Sequence, residues 1–152
     1  MTMLLEVSGL EASYGAAKVL FGMEFSVPAG KVVTLMGRNG MGKTTTIRAL
    51  LGMIAADGGR IVFDGEDVTG RPSYRVAQAG LGLVPEGRQI FPTLSVEENL
   101  IATSANRHGA TPGWSLERVY EFFPRLRERR QNMGNQLSGG EQQMLAIGRA
   151  LM

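Results

Sequence analysis

The chain has 152 residues, 43% of them hydrophobic, enough for one ordinary domain with its own core and outside the composition of disordered chains. Sixteen Lys and Arg against fourteen Asp and Glu leave a net charge of +2, too balanced to point to nucleic acid. The lack of cysteine excludes a disulfide framework and Cys-ligated metals and fits a cytosolic protein.

No apolar run is long enough to cross a bilayer. Glu6 interrupts the apolar start, and no basic region precedes it, which argues against a secretory signal. Arg125, Arg127, Arg129 and Arg130 crowd one stretch, read as a solvated helix end and loop with Glu121 and Glu128 as partners. The 21 glycines gather at turns and around two motifs, not in a low-complexity tract.

In chain order, residues 4–7 predict a short strand, and residues 19–21 and 24–27 two more, followed by a turn at Pro28-Ala29-Gly30. Residues 31–36 form a nearly continuous apolar run ending in glycine, the pattern of a strand buried on both faces. Residues 43–51 suit a helix with Gly52 as its stop. Residues 60–63 meet Asp64-Gly65, a hairpin signal. Residues 75–78 predict a short helix, and residues 81–84 a second buried strand ended by Pro85. Ser95 predicts a helix N-cap with Glu98 as capping-box partner. Residues 115–123 have helical spacing, with Pro124 as boundary. Ser138 caps a last helix with Glu141 three residues on, and Met144, Leu145, Ile147 and Leu151 supply its buried face. No Gly, Asn or Pro stops this helix before Met152, which predicts a chain cut short.

Two motifs carry chemistry. Gly37-Arg38-Asn39-Gly40-Met41-Gly42-Lys43-Thr44 fits G-x-x-x-x-G-K-[ST], the Walker A pattern, between an apolar run and a helix. Glycines let successive backbone N–H groups converge on phosphates, and the helix N-terminus adds a positive dipole. Lys43 is expected to reach the β- and γ-phosphates of ATP, Thr44 to bind Mg²⁺, and Thr45 to add a phosphate contact. The second motif is Leu137-Ser138-Gly139-Gly140-Glu141-Gln142.

In this order the two motifs resemble those of ABC transporter ATP-binding subunits. The resemblance implies an α/β P-loop NTPase fold with an N-terminal antiparallel β-subdomain and a helical subdomain. It implies residues 1–80 as β-subdomain plus Walker A core, 81–92 as the Q-loop region, 93–136 as the helical subdomain and 137–152 as signature motif and helix. Leu137 to Gln142 would meet ATP held by a partner subunit, through backbone N–H groups and the Ser138 hydroxyl. Tyr14 would stack on adenine. Glu86 stands at the Q-loop, where most of the family carries glutamine, and its carboxylate would hold Mg²⁺ by charge.

The stretches 84–92, 94–100 and 136–152 resemble the LivF-type ATPases of branched-chain amino-acid importers. That implies an ATPase coupling hydrolysis to uptake, with Lys43 and Glu86 catalytic and ATP and Mg²⁺ as cofactors. The implied partners are a second, related ATPase subunit, membrane permease subunits and, indirectly, a substrate-binding protein, with no nucleic acid. The implied place is the cytoplasm, peripheral on the inner face of the plasma membrane. A urea or short-amide importer and a non-hydrolysing nucleotide-binding fragment are the alternatives. The family's Walker B Asp-Glu and its later histidine are expected beyond residue 152, with the flanking strands of the core sheet. The chain by itself is therefore expected to be inactive in turnover and marginally stable. His108, the one histidine, reads as a surface loop residue, and Trp114 and the nine methionines as packing residues.

Overall fold

The computed structural model describes residues 2–104 and 113–152; His108 lies outside the described residues. The chain divides into two compact units, Met1–Leu81 and Gly82–Met152.

The first unit is built on a four-stranded antiparallel sheet of order β2-β1-β3-β4. Its strands are β1 Met3–Tyr14, β2 Ala17–Pro28, β3 Gly58–Phe63 and β4 Glu66–Asp67. Leu5 faces Val27 on one side and Phe63 on the other, and Val7 faces Phe25 and Ile61. Leu5 and Val7 are buried, and so are Leu10 and Ala12, two steps of two separated by one step of three. The ladder shifts register between Val7 and Leu10, with Gly9 in the left-handed region at φ 58°. This bulge keeps both apolar pairs on the core side of one strand. The three short strands expected before residue 28 are thus two long ones.

Helix α1, Lys43–Leu50, lays Thr46, Ala49 and Leu50 into the core formed with Leu10, Leu20, Ile61, Val68 and Val76. The chain leaves α1 at Gly52, as expected, with Met53 N–H donating to Arg48 O. The Asp64-Gly65 hairpin joins β3 to β4, and α2, Ser73–Gln78, closes the unit.

The second unit is helical: α3 Val96–Ile101, α4 Leu116–Phe122, α5 Pro124–Glu128, a 3-10 turn Gly134–Gln136 and α6 Gly139–Leu151. Ser95 and Glu98 form the expected capping box on α3, and Ser138 and Glu141 the one on α6. Val96, Leu100, Val119, Leu126 and Leu145 form a core with no exposed surface. Among the described residues, no helix is long and apolar enough to cross a membrane.

Two expectations fail. Residues 31–36 and 81–84 form no ladder, and Val32 and Met36 are 96% and 84% exposed. An apolar run signals a strand that neighbours cover on both faces. Among the described residues no strand pairs with either run, so the covering neighbours that the pattern requires are not there.

Candidate functional site

The phosphate-loop sequence folds in the first unit as a turn feeding α1. Met41 N–H donates to Arg38 O at 3.3 Å, and Arg38, Asn39, Gly40 and Met41 are exposed. Gly42 is the N-cap of α1 at φ 85°, left-handed, and no side chain caps the helix. A Cβ on Gly42 would come within 2.8 Å of Leu20 Cδ2, so only glycine fits both the angle and the space. The first-turn N–H groups of α1 thus have no side-chain acceptor from the cap, as is usual at an anion-binding helix start.

The Lys43 side chain folds back over the loop. Its Nζ donates to Gly37 O at 2.6 Å and to Arg38 O at 2.8 Å. An ammonium has three donors, so two fix its position and the third can meet an anion. Thr44 is exposed beside it, while Thr45 is buried. Thr46 is fully buried and donates to Gly42 O at 2.9 Å and toward Met23 Sδ at 3.1 Å, fastening the loop exit to β2.

This arrangement fits a nucleotide phosphate chain: an uncapped helix start, one positioned cation and an exposed hydroxyl. It fits Mg²⁺ only together with phosphate oxygens. Among the described residues no group of three or more His, Cys, Asp or Glu converges, and Mg²⁺ is commonly held by few protein ligands plus substrate phosphates. Tyr14 ends β1, 44% exposed, and its hydroxyl accepts from Arg48 Nη1 of α1 at 3.5 Å. Arg48, and next Thr45, hold the Tyr14 phenol below its ordinary value. Tyr14 and the loop thus meet on the same helix.

In the second unit, Ser138 Oγ accepts from Glu141 N–H at 3.4 Å while Ser138 N–H donates to Glu141 Oε2 at 2.8 Å. Ser138, Gly139 and Gly140 are exposed at the start of α6, and Leu137 is buried beneath them. Glu141 does more than cap. Its Oε1 accepts from Arg125 Nε at 3.0 Å and lies 3.6 Å from Arg129 Nε. Arg125 also pairs with Glu128. The arginine stretch is thus partly a clamp on the turn that starts α6, with Arg127 over the Tyr120 ring. Glu86 is exposed in a turn after Pro85.

Three residues carry more than the sequence reading assigned them. Arg88 Nη1 donates to Gln142 Oε1 at 3.0 Å. Arg149 Nη1 donates to Gln89 O at 2.7 Å, and its guanidinium lies over the Phe91 ring. Asn99, fully buried, accepts from Phe91 N–H and donates to the carbonyls of Phe91, Leu94 and Ser95. A fully amide-satisfied asparagine of this kind has no periodic signal; its one sequence cue is a polar residue on the apolar face of α3.

The ABC transporter family profile matches residues 20–152. Over 149 residues, 98% of this chain, the sequence is 40% identical to BraG of Pseudomonas aeruginosa, a high-affinity branched-chain amino acid transport ATP-binding protein, and covers 64% of it. It is 38% identical to LptB of Haemophilus influenzae, a lipopolysaccharide export system ATP-binding protein, over 97% of this chain and 62% of that one. The crystal structure of an ATP-binding cassette of an ABC transporter, in its ADP conformation, matches with a TM-score of 0.81 at 26% identity. That match covers 99% of this chain and 65% of the other. The chain thus spans just under two thirds of the length of these relatives. With the matched region reaching from β2 through the end of α6, the chain belongs to the ABC transporter family.

Proposed function

We propose that this chain is the nucleotide-binding part of an ABC ATPase subunit that drives uptake of branched-chain amino acids. The observation that carries the reading is the Lys43 ammonium, held by Gly37 O and Arg38 O over the uncapped start of α1. Lys43 would neutralise charge between the β- and γ-phosphates, and backbone N–H groups of residues 40–45 would orient the phosphate chain. The Thr44 hydroxyl would ligate Mg²⁺, which when bound neutralises phosphate charge; Glu86 would offer a carboxylate at the Q-loop position. Tyr14 would present its ring to the adenine. Ser138 to Gly140 would meet the γ-phosphate of ATP on a second ATPase subunit, and the assembly would sit on membrane permease subunits at the cytoplasmic face.

The cargo rests on the BraG likeness, supported by 28% identity to a probable LivF of Archaeoglobus fulgidus over 98% of this chain. The LptB likeness, at 38%, favours lipopolysaccharide as a second reading. Uptake of labelled leucine by cells carrying the Lys43→Ala allele tests the first. The expected result is loss of leucine uptake with an intact outer surface. Normal uptake with failed lipopolysaccharide export turns the assignment to the second reading.

A further inference from the structure

We propose that Arg88 is a positioning residue that clasps the Glu86 turn to the first turn of α6, so that these two parts of the second unit keep one register. The proposal rests on the reading of Glu86 and Ser138 as nucleotide-facing. Gly87, Arg88 and Gln89 stand at φ 74°, 67° and 47°, three successive residues in the left-handed region. For the two that carry a Cβ this conformation is unfavourable, and it persists only where surrounding contacts over-determine it.

Within the turn Gln89 N–H donates to Gly87 O and Arg88 N–H to Pro85 O, and two further contacts come from α6. Arg88 Nη1 donates to Gln142 Oε1 at 3.0 Å, and Arg149 Nη1 donates to Gln89 O at 2.7 Å. Gln142 is itself fixed, because its Nε2 donates to Gly134 O at 3.2 Å and to Leu137 O at 3.3 Å. Its Oε1 is thereby turned to Arg88. The guanidinium also lies against the backbone of Gly139: a Cβ there would come within 3.0 Å of Arg88 Nη2. Gly139 is one of the residues, Ser138 to Gly140, expected to meet the γ-phosphate, so Arg88 touches that turn while its own backbone lies two residues from Glu86. A displacement of the Glu86 turn cannot leave the signature turn where it was unless this clasp opens.

Hydrogen exchange on the full chain tests the clasp in Arg88→Ala, Gln142→Ala and the double variant. Arg88→Ala is expected to raise exchange about tenfold at 138–142, and Gln142→Ala to do the same at 86–90, with the double variant no faster than either single. Exchange at 86–90 unmoved by Gln142→Ala, or effects that add in the double variant, overturns the proposal. Leucine uptake in cells separates it from the reading beneath it. Arg88→Ala should lower uptake and leave the ATP affinity of the chain unchanged, and adding Gln142→Ala to it should cause no further loss of uptake. Wild-type uptake in Arg88→Ala, where Lys43→Ala abolishes uptake, overturns the clasp and leaves the nucleotide site standing. Uptake untouched by Lys43→Ala overturns the transport reading itself.

Discussion

Arg125 Nε donates to Glu141 Oε1 across 3.0 Å, tying α5 to the turn that starts α6. The Glu141 carboxyl is held below its ordinary value, first by the Ser138 backbone N–H, then by the Ser138 hydroxyl and Arg125. A folded value below the unfolded one means that the stabilisation is whole above the ordinary glutamate range, about pH 4.3. It is lost as pH falls through the lower folded value. Glu141→Gln keeps a cap acceptor and removes the negative charge that faces Arg125 and Arg129. Its acid unfolding curve should therefore be flatter below about pH 4 than that of the wild type. Superimposed curves, followed by circular dichroism, would show that the pair adds nothing to stability.

Thr44 stands exposed at the start of α1 beside the positioned Lys43. If its hydroxyl ligates Mg²⁺, Thr44→Ala should weaken MgATP binding by about tenfold, the loss of one metal ligand, and leave ATP binding in EDTA unchanged. Equal losses with and without Mg²⁺ would assign Thr44 to the phosphates instead. Calorimetric titration with and without chelator reads the difference.

Val32 and Met36 lie almost fully exposed in a segment with no ladder partner among the described residues. Unpaired backbone groups next to apolar side chains template association between chains. The isolated chain should therefore self-associate at micromolar concentration, and Val32→Lys with Met36→Lys should shift it toward monomer. A wild-type chain that stays monomeric in sedimentation and melts reversibly would contradict this.

What was legible in the sequence was local. The 37–44 pattern and the residues after it located α1 to within a residue, because the motif is itself a statement of backbone geometry. Ser95 with Glu98 and Ser138 with Glu141 marked two helix starts, because a capping box needs only side chains three residues apart. The strand lengths were less legible. β1 continues through Ser8 and Gly9 where the alternation slips by one, and β2 continues through Gly22, so each break in period was read as a break in the strand. Runs 31–36 and 81–84 carry the composition of covered strands but form no ladder, since pairing belongs to neighbours and not to the run. Arg88 and Gln142 are 54 residues apart, and Arg125 was paired in the sequence with nearby glutamates when its more buried partner is Glu141. Long-range polar contacts leave no periodic trace.

The central claim is that the 37–45 loop of this chain binds nucleotide phosphates through Lys43. Titration of MgATP into the purified chain and into Lys43→Ala measures it most directly. A charge-assisted hydrogen bond of about 1.5–3 kcal/mol predicts an affinity loss of about ten- to a hundredfold on removing the ammonium. Equal affinity in the two proteins, with the fold intact by circular dichroism, would contradict the account.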